Sequence, residues 1–143
     1  MRISSKGDYG LRALFDLALH HGQGPIRSRD IAERQAIDEN YLNQLLIQLR
    51  RAGLVQSLRG PQGGHLLARA PREITVLEAL EALEGPLVDV QESAPAPQAD
   101  EAAVLAELWS GLRRTVADYL QSITLDDLAQ RKREREGQTM YYI

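Results

Sequence analysis

Hydrophobic positions in the first half of the chain recur at the spacing of a helix. Four leucines fall at i, i+3, i+4 and i+7, namely Leu42, Leu45, Leu46 and Leu49. This spacing predicts one buried stripe on a helix over residues 39–52, with Asp38 as its N-cap. A shorter helix over residues 29–35, capped by Ser28, is predicted before it, and a first helix spans about residues 4–21.

A hairpin is predicted directly after the leucine-striped helix. Residues 54–58 and 65–68 are predicted as short strands, joined by the glycine-rich turn Arg59-Gly60-Pro61-Gln62-Gly63-Gly64. Two short helices followed by a hairpin are typical of a winged helix-turn-helix. A glycine-rich turn could instead hold a nucleotide phosphate. However, the G-x-x-x-x-G-K-[ST] spacing is missing and no helix is predicted immediately after the turn.

The polar residues of the striped helix suit contact with DNA. They include Asn40, Asn43, Gln44, Arg50 and Arg51. Amide side chains pair with base edges in the major groove, and arginines reach guanine or phosphate. Arg59, next to a glycine and a proline, is a cation on a backbone that can approach a narrow minor groove. The alternative is a polar face that only meets solvent, and this helix by itself does not decide between them.

The second half of the chain predicts three more helices and a linker. A helix over residues 76–84 is capped by Thr75, a long helix spans residues 100–123, and a short one spans residues 125–130 or slightly beyond. The charged run over residues 131–136 is most simply a solvated helix end. Residues 86–99 contain three prolines and are predicted as a loop. The expected fold is therefore mainly α, with a small β-hairpin wing.

These elements predict a DNA-binding domain in residues 1–85, a loop in residues 86–99, and a dimerisation helix with a C-terminal tail in residues 100–143. The long helix carries a broad apolar stripe: Leu105, Leu108, Trp109, Leu112, Val116, Tyr119, Leu120 and Ile123. So broad a stripe requires a partner surface. We expect a homodimer, because paired helix-turn-helix units reach successive major grooves.

Charge is distributed unevenly along the chain. Residues 1–72 carry 11 Lys and Arg against 6 Asp and Glu, whereas residues 73–143 carry 6 against 14. The basic half favours a polyanion and the acidic half favours protein contacts, although ordinary surface scatter is the simpler alternative. No apolar run approaches the length of a membrane span, and residues 1–10 lack a signal peptide's apolar region. We expect a cytoplasmic protein.

Residues for catalysis or metal binding are sparse. The chain has no cysteine, which excludes disulfides and thiolate-held metals. Its three histidines are His20, His21 and His65, and they form no Ser-His-Asp or HExxH pattern. We therefore expect neither an enzyme nor a bound cofactor or metal.

Six segments together resemble the bacterial Rrf2 family of transcription regulators. They are residues 1–7 (MRISSKG), 31–35 (IAERQ), 41–45 (YLNQL), 49–55 (LRRAGLV), 57–64 (SLRGPQGG) and 123–128 (ITLDDL). The resemblance covers essentially the whole chain. It implies a winged-helix dimer held together by the long helix, acting on double-stranded DNA.

The resemblance also implies particular contacts. Those of the recognition helix fall on Asn40, Asn43 and Gln44, and the wing contact falls on Arg59. With the polar face described above, the residues expected to contact DNA are Lys6, Ser28, Asn40, Tyr41, Asn43, Gln44, Arg50, Arg51, Arg59, Gly60, Pro61 and Gln62.

Many members of this family hold an iron–sulfur cluster through three cysteines in the segment that corresponds to residues 86–99. This chain has none there, and cluster ligands are usually thiolates. Asp8 lies where some members have an additional carboxylate ligand, and it is interpreted here as a surface or capping group.

The chain most resembles the cluster-free members, which repress cysteine-metabolism genes and act with cysteine synthase. The tail residues Tyr142 and Ile143 are predicted to enter a pocket of that synthase, unless they fold back onto the dimer. Two alternatives remain: a cluster-free regulator of iron–sulfur or redox-stress genes, and a winged-helix module that binds protein instead of DNA.

Overall fold

The computed structural model describes residues 1–90 and 98–141, and only the backbone for residues 139–141. Its elements are α1 (Ser5–Leu19), α2 (Ser28–Gln35), α3 (Glu39–Arg51), β1 (Val55–Leu58), β2 (Gly64–Leu67), a 3-10 helix (Pro71–Glu73), α4 (Val76–Glu84), α5 (Ala99–Gln121) and α6 (Leu125–Tyr141). The expected fold, mainly helical with one antiparallel hairpin, is confirmed. No helix within residues 1–90 or 98–141 is long and apolar enough to cross a membrane.

Most helix ends follow the local signals in the sequence. The Asp38 side chain accepts a hydrogen bond of 3.1 Å from the amide of Tyr41, and Thr75 accepts one of 3.1 Å from the amide of Glu78. Ser28 differs from its prediction as an N-cap, because it is the first residue of α2 and the N-cap is Arg27. Its hydroxyl points instead at the Glu39 carboxylate, 3.4 Å away.

One hydrophobic core joins the first three helices to the hairpin and the last helix. Its fully buried members include Leu14, Ile31, Leu42, Leu45, Leu49, Leu54 and Leu125. The leucine stripe predicted for α3 is therefore buried as expected. Leu125 comes from α6, so the start of the last helix packs with the N-terminal unit. The predicted boundary between a DNA-binding domain and a C-terminal part that begins at residue 100 stays a prediction. The hydrophobic core itself contains residues from both sides of this boundary.

A buried carboxylate ties α1 to α2. Asp16 is completely buried and accepts two hydrogen bonds of 2.9 Å from the guanidinium of Arg34 and one of 3.2 Å from the Gln35 amide. The hydrogen bond with Asp16 raises the pKa of Arg34. Such a charged, paired fork is among the stronger side-chain interactions, and it fixes the angle between the two helices.

The hairpin is held against the helices by its backbone. Val55 pairs with Leu67 and Leu58 pairs with Gly64, while Ile26 forms a further antiparallel bridge with His65. The two Ile26–His65 hydrogen bonds measure 2.7 and 2.9 Å. A Cβ on Gly64 would lie 2.7 Å from the backbone of Ile26, so this close approach requires glycine.

Two predictions for the C-terminal third are wrong. The last helix is not short: it continues through the charged run over residues 131–136, as a solvated helix end would, and on to Tyr141. The long helix ends at Gln121, and Ile123 lies beyond it. Ile123 is buried beside Val76, Leu80 and Leu87 in the same chain, and its carbonyl accepts a hydrogen bond of 2.8 Å from the amide of Val76. Ile123 is therefore removed from the predicted dimerisation stripe.

The end of α4 caps the start of α1. The Glu84 carboxylate accepts hydrogen bonds from the amides of Ser4 (3.1 Å) and Gly7 (2.9 Å), and from the Ser4 hydroxyl. The Ser4 hydroxyl contributes most to lowering the pKa of Glu84. A helix N-terminus favours a negative charge, so the Glu84 carboxylate stabilises the start of α1 and anchors α4 to it. No local sequence signal predicts this contact, because its partners are far apart along the chain.

Candidate nucleic-acid interface

The exposed face of α3 carries the amides and an arginine predicted to contact DNA. Asn40, Gln44 and Arg51 are exposed, and their spacing of four and seven residues places them on one face. That face lies opposite the buried leucine stripe. Asn43 is half-buried beside it, and Arg50 is exposed on another side of the helix. The packing of the leucines thus turns the groups that can pair with base edges outward.

Two other polar residues of α3 are engaged within the protein. Gln48 donates hydrogen bonds to the carbonyl oxygens of Ala82 (2.9 Å) and Leu83 (3.3 Å), which fixes α3 against α4. Tyr41, predicted to contact DNA, is half-buried with its ring edge-on to that of Tyr9 at a centroid distance of 5.8 Å. Any DNA contact of Tyr41 must therefore come from its exposed part.

The turn of the wing is exposed, and one side chain fastens it to the helices. Arg59, Gly60, Pro61 and Gln62 are all exposed. The guanidinium of Arg27 donates a hydrogen bond of 2.8 Å to the carbonyl oxygen of Pro61. The wing is therefore held at the N-terminus of α2, and Arg59 is free to reach outward.

An open depression of about 360 Å³ separates the helix-turn-helix from the wing. The starts of α2 and α3 supply Arg27, Ser28, Arg29 and Glu39, and the hairpin supplies glycines, Leu58 and His65. Two of the residues predicted to contact DNA, Ser28 and Gly60, are brought together here.

His65 is one of the residues that line this depression. Burial lowers its pKa, and the nearby positive charge of Arg50 lowers it further. Its Nδ1 is 2.8 Å from the Ser57 hydroxyl on the paired strand. Both effects favour the neutral imidazole, and the contact with Ser57 links the two strands of the hairpin.

Lys6 interacts with a different part of the protein than the other residues predicted to contact DNA. It is half-buried in the first turn of α1, where its charge adds to the hydrogen bonds that lower the pKa of Glu84. Its role at DNA stays a prediction.

Sequence reasoning missed three residues of this surface. Arg27 and Arg29 flank Ser28, and Ile47 is 40 % exposed on the same face of α3 as Asn40 and Gln44. A signal for Ile47 was present, since it follows Gln44 by three residues and Asn40 by seven. It was missed because only polar residues of α3 were considered as DNA contacts.

The long helix α5 leaves an apolar surface uncovered within the chain. None of its 23 residues is buried. Its exposed apolar side chains are Val104, Leu105, Leu108, Leu112 and Tyr119. Val116 and Leu120, both predicted for dimerisation, instead pack partly against Val76, Leu80 and Ile123, while Trp109 is partly buried. The predicted stripe therefore divides into an inner part and an outer part.

A recognition helix with outward amides, beside a wing that exposes an arginine, defines a winged helix-turn-helix protein of the DNA-binding class. A family model described as an iron-dependent transcriptional regulator, Rrf2, matches residues 3–131. The chain belongs to the Rrf2 family of DNA-binding transcriptional regulators, as its sequence motifs predicted.

Similar proteins extend over the whole chain. The transcriptional regulator CymR of Bacillus subtilis is 41 % identical over 145 residues, covering 100 % of both chains. Its structure, that of the global cysteine regulator of B. subtilis, matches with a TM-score of 0.79 at 40 % identity, covering 92 % of this chain and 98 % of that one. IscR of T. potens matches with a TM-score of 0.77 at 42 % identity, covering 94 % and 90 %. These relatives are named as regulators.

The residues of this chain do not fit an iron–sulfur cluster, although the family description names iron. The chain has no cysteine to supply thiolates. Within the described residues, no group of three His, Cys, Asp or Glu side chains could hold a metal ion. Asp8 is half-exposed and paired with Arg12 at 2.8 Å, as expected for a surface group.

Proposed function

We propose that this chain is a homodimeric repressor that binds a palindromic operator and controls genes of cysteine and sulfur metabolism. The observation that carries its DNA-binding part is the exposed polar face of α3 beside a wing fastened at Pro61. The protein works without catalysis or a cofactor of its own. Because it acts on the chromosome, the proposal includes a cytoplasmic location.

The proposed DNA contacts are those predicted from the sequence. Asn40, Asn43 and Gln44 read base edges in the major groove, and Arg59 with its neighbours Gly60, Pro61 and Gln62 meets the adjacent backbone or minor groove. Lys6, Ser28, Arg50 and Arg51 contribute charge or hydrogen bonds toward phosphates. Tyr41 contacts DNA through the part of its ring that Tyr9 leaves exposed.

The proposed dimer joins two copies through α5. The exposed part of the stripe, centred on Leu108, repeats at helical spacing along a rod of about 35 Å. Two such stripes can cover one another, which relieves the cost of exposing them to water. Dimerisation also places two recognition helices for a two-fold symmetric operator.

The sulfur regulon is supported by two facts. The match to CymR covers 100 % of both chains, and the solved CymR structure is described as that of a global cysteine regulator. The absence of cysteine also favours a signal that arrives through a partner instead of a cluster. The similarity to IscR is nearly as high, so regulation of iron–sulfur genes is the second candidate.

Cysteine synthase is the proposed partner, and Tyr142 and Ile143 are its proposed contacts. Tyr142 and Ile143 lie outside the described residues, and the proposal rests on their apolar, aromatic character. Calorimetry of the synthase with the full chain and with a chain lacking Tyr142 and Ile143 tests it. Gln138→Ala is the matched control in the same segment. Unchanged affinity after the deletion would exclude the tail as the docking element.

The experiment that tests the function is operator binding as a function of salt. We expect the affinity to fall steeply with salt, because bound phosphates release counterions. Arg59→Ala should weaken binding strongly, whereas Arg72→Ala, an exposed arginine of the 3-10 helix, should not. Gln44→Ala should change base preference by about 1–3 kcal/mol.

The location of genomic binding sites then decides the regulon. Sites upstream of sulfur-assimilation genes support the proposal, and sites upstream of iron–sulfur assembly genes support the second candidate. If the purified protein shows no salt-dependent DNA binding with or without the synthase, the protein-interaction alternative is correct.

A further inference from the structure

An apolar side chain stands at the centre of the exposed face of α3. Ile47 is 40 % exposed and lies three residues after Gln44 and four before Arg51. The spacing of α3 puts it on the side opposite Leu42 and Leu49, which are fully buried. Ile47 therefore shares the exposed face of α3 with the amides of Asn40 and Gln44 and the guanidinium of Arg51.

We propose that Ile47 is a specificity-determining residue that contacts the C5-methyl group of a thymine in the major groove. This inference rests on the proposed DNA contacts of α3. The thymine methyl is the one apolar group that base edges present in the major groove, and apolar side chains are its usual partners.

The flanking residues favour a thymine at this point. Asn40 and Gln44 occupy the same face, and their amides suit the N6 and N7 groups of adenine. Each adenine that they read is paired with a thymine, so methyl groups line the same stretch of groove. Ile47 then adds an apolar contact where a polar residue would gain no hydrogen bond.

The side chain is also suited to a fixed contact. Isoleucine in a helix has one strongly preferred χ1 rotamer, so little conformational freedom is lost when it meets a base. Its neighbours in sequence keep the backbone in place, because Leu46 is buried and Gln48 is hydrogen-bonded to α4. The backbone position of Ile47 and its preferred χ1 rotamer therefore do not have to change when DNA binds.

The test removes one methyl group from the DNA. Duplexes enriched by the wild-type protein from a random pool supply the operator, and each thymine of a half-site is replaced in turn by deoxyuridine. At one position per half-site, we expect the wild-type affinity to fall about fourfold, the effect of exposing one buried methyl group. For Ile47→Ala, the thymine and deoxyuridine duplexes should bind equally well at that position.

A matched control separates readout from a general loss of apolar surface. Ile3 is 39 % exposed outside α3, so Ile3→Ala should keep the full deoxyuridine effect. Ile47→Val should keep part of it, and thermal melting checks that each variant is folded. The inference is overturned if no thymine shows the effect, or if Ile47→Ala retains it. Failure of the proposed DNA contacts is distinct, because the wild-type protein would then enrich no duplex at all.

Discussion

The guanidinium of Arg27 donates a hydrogen bond of 2.8 Å to the carbonyl oxygen of Pro61, which joins the start of α2 to the turn of the wing. This contact fixes the distance between the recognition unit and Arg59. Arg29 lines the same depression two residues further on. Replacing each arginine in turn therefore compares the effect of positioning the wing, by Arg27, with the effect of attracting phosphate, by Arg29.

Replacing Arg27 should therefore weaken DNA binding without changing its salt dependence. We expect Arg27→Ala to lower operator affinity about three- to tenfold, the effect of one hydrogen bond, because the wing is released. If Arg29 meets a phosphate, Arg29→Ala should reduce the slope of log K against log salt by about 0.9. Fluorescence anisotropy over a salt series measures both. A reduced slope for Arg27→Ala would show that Arg27 binds phosphate itself.

Removing the buried carboxylate of α1 should destabilise the whole domain. Asp16→Ala deletes the acceptor of three hydrogen bonds from Arg34 and Gln35, and we expect a loss of about 2 kcal/mol in the free energy of unfolding. Urea denaturation measures this quantity. Asp8→Ala is the control on the same helix, because its pair with Arg12 is exposed and should contribute less than about 1 kcal/mol. Equal losses for the two variants would contradict the structural role of Asp16.

The neutral state of His65 predicts a loss of stability in mild acid. Burial lowers the pKa of His65 in the folded chain, whereas in the unfolded chain His65 binds a proton near pH 6.5. Between these two pKa values the unfolded chain therefore binds more protons than the folded chain. The contribution of His65 to the free energy of unfolding should be constant well above pH 6.5 and should fall as the pH decreases from there toward the lowered pKa. His65→Gln should remove this part of the pH dependence in thermal melts.

His21→Gln is the control for that experiment, since His21 is an exposed histidine just after α1 and its replacement should keep the wild-type profile. A pH profile that is identical in the wild type and in His65→Gln would refute the prediction.

A charge in the centre of the exposed part of the α5 stripe should separate the proposed dimer. Leu108 is 57 % exposed in the single chain, and Leu108→Asp would bring a carboxylate into an apolar interface without a partner. We expect a monomer in sedimentation experiments at micromolar concentration. Ser110→Asp, on the other side of the same helix, should leave the dimer intact. If Leu108→Asp remains dimeric, the two copies meet elsewhere.

Much of the helix-turn-helix could be predicted because its signals are local. The four leucines of α3, the Asp38 cap and the Thr75 cap act within one or two turns of their own helix, and each was found where the pattern placed it. The polar face of α3 follows from the same periodicity. The apolar stripe predicted on the long helix is also present on α5. Periodicity did not show that Ile123 lies beyond the end of this helix and is buried beside Val76.

What the sequence by itself determined is the order of the main helices, the hairpin wing and the residue types offered to DNA, since these depend on spacing along one helix or hairpin. The tertiary structure decided which elements touch. It brought Glu84 to the start of α1, Arg27 to Pro61 and Arg34 to Asp16, over separations of 18 to 80 residues. Such pairings depend on how buried faces pack in three dimensions, and no local pattern records that.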